Sequence, residues 1–91
     1  MATYSSAYTT NPHCQAYQAE RAAIAADWHR RRAHAEELAD WPSAVTALEA
    51  ELTRRYTTAE TTLATRLAAD NLRIFETYDP ATGYFVDLVA D

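Results

Sequence analysis

The chain has 91 residues, a formal net charge of -5 and a pI near 5.0. That balance opposes non-specific attraction to nucleic acid or to an anionic membrane. A single cysteine, Cys14, excludes an intrachain disulfide, and a single glycine excludes a glycine-rich phosphate loop.

One domain is expected at this length, and a domain this short buries only about two-thirds of the surface that its unfolded chain exposes. The hydrophobic fraction is 48%, yet much of it is alanine, so large apolar side chains are sparse. Residues 1–11, MATYSSAYTTN, carry no charge and no clear periodicity. They read as a flexible uncharged arm on which Tyr4 and Tyr8 are free to contact a partner. Neither a basic n-region nor an apolar h-region is present there, so a secretory leader is not expected. No apolar run approaches the roughly 18 residues of a membrane span, and no membrane partner is expected. Cytoplasm or the interior of a viral particle fits better than secretion.

Asn11-Pro12 is a helix start, with Asn as N-cap and Pro in the first helical position. From there a helix is predicted over about 12–40. Tyr17, Ile24, Trp28, Ala35 and Leu38 share one arc of it. Asp40-Trp41-Pro42-Ser43 breaks the helix. An antiparallel helical hairpin follows, with a single helix kinked at Pro42 as the alternative. The second helix is predicted over about 43–71. Leu48, Leu52, Tyr56, Ala59, Leu63, Leu67 and Asp70 follow an eleven-residue repeat, which suits a straight helix. Tyr-Asp-Pro-Ala-Thr-Gly-Tyr, residues 78–84, is turn chemistry, and YFVDLV after it is strand-like. A β-hairpin over about 73–89 is the preferred reading. If the helix instead ran on through Ile74 and Tyr78, YFVDLV would have to pair with another chain. The fold class is therefore α+β, mainly α: a long antiparallel helical hairpin followed by a C-terminal β-hairpin, together forming one domain over 12–91.

Arg30, Arg31 and Arg32 point in three directions on a helix. Each has an acid at helical spacing: Asp27 for Arg30 and Arg31, Glu36 for Arg32. Glu51 stands likewise to Arg54 and Arg55. Arg31 lies within the apolar arc and is expected to meet Thr53 and Glu49 across the hairpin. This pattern describes a salt-bridged face, so nucleic acid is an unlikely partner. Cys14 near a helix start is conceivable as a nucleophile, although an inert buried thiol explains it better. His29 and His34 share no face, and no metal-ligand spacing occurs. No catalytic group, cofactor or metal is expected.

Ala16, Ala19, Ala23, Ala26 and Ala33 lie roughly opposite the large apolar residues of the first helix. Small side chains let helix axes approach closely. With Tyr4, Tyr8, Tyr84 and Val86 of the arm and hairpin edge, Ala16, Ala19, Ala23 and Ala26 form the candidate partner surface.

Trp41 at a helical-hairpin junction gives the chain a similarity in length and helix count to small secreted hairpin proteins with a Trp-x-Gly turn. Here the junction is Trp41-Pro42-Ser43, without the glycine. Their terminal Tyr-x-x-x-acid signal is also missing, since Tyr78 is followed four residues later by Thr82 and Tyr84 by Leu88. Membership is not inferred. The expected role is a non-enzymatic assembly or adaptor subunit in a larger complex such as a virion, acting through a protein partner or its own copies. The alternative is a regulator or inhibitor of one macromolecular partner, a nucleic-acid-associated one included.

Overall fold

The computed structural model describes residues 2–91. Its elements run β1 (Ala2–Tyr4), α1 (Ser6–Thr10), α2 (Pro12–Ala35), α3 (Trp41–Ala69), β2 (Leu72–Asp79) and β3 (Gly83–Ala90). It is α+β and mainly α: α2 and α3 form the antiparallel hairpin, and a small sheet closes the end away from their turn.

Asn11 caps α2 as expected, its side chain accepting from the His13 and Cys14 amides, with Pro12 in the first turn. The helix ends at Ala35 rather than near residue 40. From there the Glu37 and Leu38 amides reach back only three residues, to His34 and Ala35. This tightening lets the chain reverse before Pro42 starts α3. Asp40 occupies the cap position of α3 but makes no side-chain cap bond. The helix stops at Ala69, and Asn71 takes a left-handed conformation with φ 58° to redirect the chain into β2.

The C-terminal hairpin forms as the turn chemistry predicts. Thr82 N–H donates to the Asp79 carbonyl, the Asp79 carboxylate accepts from the Ala81 amide, and Gly83 has φ 87°. β2 and β3 pair antiparallel from Leu72↔Ala90 to Asp79↔Gly83.

The N-terminal stretch is not a flexible arm. Ala2–Tyr4 adds to β3 as a parallel strand, Ala2 opposite Tyr84 and Tyr4 opposite Val86, giving the order β1-β3-β2. Ser5 N–H donates to the Val86 carbonyl, and the Ser5 hydroxyl oxygen accepts from the Tyr8 amide to start α1. The hairpin is therefore not a lone two-stranded ribbon, and β1 covers part of the edge expected to be open. A third strand supplies the pairing that two strands lack for independent stability.

Alternation assigns the two sheet faces. Val86 is buried toward the helices, so Tyr84, Leu88, Leu72, Ile74, Glu76 and Tyr78 share its face by register. Phe85, Val89, Phe75, Thr77 and Arg73 lie on the opposite face. The core cluster draws Tyr8, Cys14, Leu63, Leu67 and Val86 from four elements, with Tyr17, Leu72, Ile74 and Leu88 packed around it. Farther along the hairpin, Ile24, Ala35 and Val45 are buried as well.

Candidate functional site

The outline is open for so small a protein. Its extents are 51 × 34 × 17 Å and its radius of gyration is 16.4 Å, against about 12 Å for a compact domain of this length. The exposed area is 6261 Å², whereas a compact 10.2 kDa monomer exposes about 5,300 Å². Large apolar side chains stand exposed at both ends. Leu38 and Trp41 stand out at the hairpin turn, and Tyr78, Tyr84, Phe75 and Phe85 stand out on the sheet.

The sheet end carries the denser set. Helices cover only one of its faces, leaving Phe75 and Phe85 uncovered on the other, 43% and 41% exposed. Tyr78 and Tyr84 form a cross-strand pair with ring centroids 4.9 Å apart, beyond the reach of the helices. Between sheet and helices lies a cleft of about 430 Å³, lined in part by Tyr4, Tyr8, Tyr17, Leu67 and Ile74. Gln18 Nε2 donates to the Tyr8 hydroxyl at 2.8 Å, which satisfies the one polar atom this buried ring brings inside.

The anticipated partner residues separate into three groups. Tyr4 is 38% exposed and stacks on Tyr8 at 4.9 Å, and Tyr84 is open. Tyr8 and Val86 lie in the core, 3% and 7% exposed, and are unavailable to a partner. They are buried because β1 and α1 fold back onto β3 instead of extending as an arm. Ala16, Ala19, Ala23 and Ala26 are all exposed on α2. Ala16 also lines a groove of about 610 Å³ between α2 and α3, with Ala59 across from it. Phe75, Tyr78 and Phe85 were absent from the expected set. The turn at residues 79–83 held the signal, because once it fixes register, alternation puts Phe75 and Phe85 on one face.

Charges cluster toward the hairpin turn. Asp27 accepts from Arg55 at 2.7 Å and pairs with Arg30 and Arg31, while Arg31 donates to Glu51 at 2.8 Å and Arg32 to Glu36 at 2.9 Å. Arg31 thus meets Glu51, not Glu49 or Thr53, and Arg55 bridges to Asp27 rather than to its own helix. The hydrogen bond from Arg55 holds the Asp27 carboxyl below its ordinary range, and that from Arg31 does the same for Glu51. Nearby, the Trp28 indole N–H is buried without a hydrogen-bond partner.

Asp87 performs a different task. The nearby Ser5 hydroxyl and the Leu88 amide, which donates to its carboxylate at 2.7 Å, hold its carboxyl below the usual range. It therefore satisfies β3 just past the end of β1. Cys14 is fully buried, and burial pushes its thiol up, away from the reactive thiolate. Among the described residues no cluster of three or more His, Cys, Asp or Glu side chains is placed to hold a metal. No described helix is long and apolar enough to cross a membrane. No protein-family model matches the chain, and neither does any curated protein or solved structure.

Proposed function

We propose that this chain is a non-enzymatic assembly subunit that works by covering its open sheet end against another protein chain. The observation that carries this reading is the surplus of exposed surface, about 950 Å² above that of a compact monomer of the same mass. A standard interface buries about 800 Å² per partner, so one such contact would remove most of the surplus. The exposed apolar side chains favour association, because burying them releases about 25 cal/mol for each Å². Arg30, Arg31 and Arg32 are already engaged with acids of their own chain, which leaves them poorly placed to grip a phosphate backbone.

The test is sedimentation and thermal melting over a wide concentration range. An associating subunit gains mass on concentration and melts at a higher temperature, because association stabilises the folded state by mass action. A monomer with a concentration-independent, high-temperature melt would contradict the reading.

A further inference from the structure

We propose that the free edge of β2 pairs antiparallel with β2 of a second copy, across a two-fold axis that sets Phe75 against Phe75. The inference rests on the assembly reading and supplies its partner and its register.

The outer sides of the hairpin's two strands differ. On β3, β1 covers Tyr84 to Val86, Ser5 takes the Val86 carbonyl, and the Asp87 carboxylate takes the Leu88 amide. Among the described residues none covers β2 in this way. Asp91 N–H donates to the Asn71 carbonyl at 2.8 Å, which makes Asn71 and Asp91 a hydrogen-bonded pair. Counting by twos along the ladder, Arg73, Phe75, Thr77 and Asp79 spend their backbone groups on β3. Leu72, Ile74, Glu76 and Tyr78 therefore aim their amides and carbonyls outward. An open row of this kind is a template for another strand.

Geometry then selects one register. A two-fold axis normal to the sheet keeps each face on its own side, so every residue pairs with one of its own parity. With Phe75 on the axis, Leu72 faces Tyr78 of the other copy and Ile74 faces Glu76, and all four outward residues find partners. A slip one way puts Glu76 against Glu76 and Leu72 against Pro80, which has no amide to give. A slip the other way puts Tyr78 against Asp70, which lies before the strand. Like charges directly opposite destabilise a ladder, whereas an aromatic pair in a non-hydrogen-bonded position strengthens it. In the preferred register Arg73 also lies diagonal to Asp79 of the second copy, within reach of a long side chain. Continuing the sheet would cover part of the surface around Phe75 and Tyr78.

The experiment uses two single-cysteine additions to the full chain, Phe75→Cys and Thr77→Cys, under mild oxidation, with wild type reporting the background from buried Cys14. Phe75→Cys should form a disulfide-linked dimer at least about tenfold faster, since two copies of position 75 meet within disulfide range while two copies of position 77 stand about 14 Å apart. Glu76→Pro removes an outward amide without touching the ladder to β3, and should weaken self-association at least about tenfold with circular dichroism unchanged. Equal cross-linking at both positions overturns the proposal. Association that survives Glu76→Pro in a folded protein does so too; in either case the copies meet elsewhere and the assembly reading stands. A monomer at every concentration, with no preference for position 75, overturns both.

Discussion

The two ends of this molecule are held by different means. At the sheet end, Tyr8, Cys14, Leu63, Leu67 and Val86 converge from helices and strands distant in sequence. Around Asp27 and Trp28, nearer the hairpin turn, two neighbouring helices are joined by Asp27–Arg55 and Arg31–Glu51 across partly exposed surface, with an unpartnered Trp28 N–H beneath. Apolar burial gives the first region its stability, because it persists at any ionic strength. Exposed ion pairs contribute little and are screened by salt. The sheet end is thus the firmer of the two and suits the proposed contact, while the charged pairs chiefly set the alignment of α2 on α3.

The largest expected effect is at the platform. Leu67 is 1% exposed in the core cluster, so Leu67→Ala should cost about 3 kcal/mol in urea denaturation, from lost transfer energy plus a cavity. Val45, 8% exposed near the hairpin turn, loses only two methyl groups in Val45→Ala, for about 1.5 kcal/mol. Equal costs would erase the contrast between the two regions. Next comes the turn: Gly83 has φ 87°, and Gly83→Val should strain it by roughly 1–2 kcal/mol. Its signature is lost pairing between β2 and β3, with the helical circular dichroism largely kept.

Ser5→Ala should cost about 1 kcal/mol, because it removes the side-chain cap of α1 and the hydroxyl beside the Asp87 carboxylate. Amide exchange should rise first in residues 2–10, which joins that loss to β1 rather than to the helices. The smallest effect is electrostatic. Asp27, Glu51 and Asp87 have folded-state pKa values below their unfolded ones. Their stabilisation is present above pH about 4 and is lost as pH falls through that value toward the folded pKa. Asp27→Asn should lower the melt slightly at pH 7, with the difference from wild type shrinking as pH falls, so that part of this acid-side slope is flattened. An equal slope in the variant would show that the ion pairs do not contribute.

Local chemistry was legible in the sequence wherever a residue acts on its neighbours. Asn11-Pro12 opened a helix, Asp40 to Ser43 broke the helical run, and Asp79 to Gly83 closed a hairpin. The stripe from Leu48 to Leu67 is turned inward along its length, with Leu63 and Leu67 buried and Leu48, Leu52, Tyr56 and Ala59 half-buried. What escaped notice depends on partners far along the chain. Ala2–Tyr4 becomes a strand only because β3 lies about eighty residues away. That pairing draws Tyr8 inside and covers part of the β3 side, while the outer side of β2 stays open. Ser5 ahead of Ser6-Ala7-Tyr8 is itself a cap signal, and it could have indicated α1. The cross-helix partners of Arg31 and Arg55 depended on the rotation of α3 about its own axis, which periodicity leaves free within a turn.

The most direct measurement is amide hydrogen exchange along β2 at high and low protein concentration. If β2 is the joint between two copies, Arg73, Phe75 and Thr77 stay protected at both concentrations through their bonds to β3. Leu72, Ile74, Glu76 and Tyr78 should be protected only when concentrated, and should exchange freely on dilution. Rapid exchange at those four positions at every concentration would contradict pairing through β2.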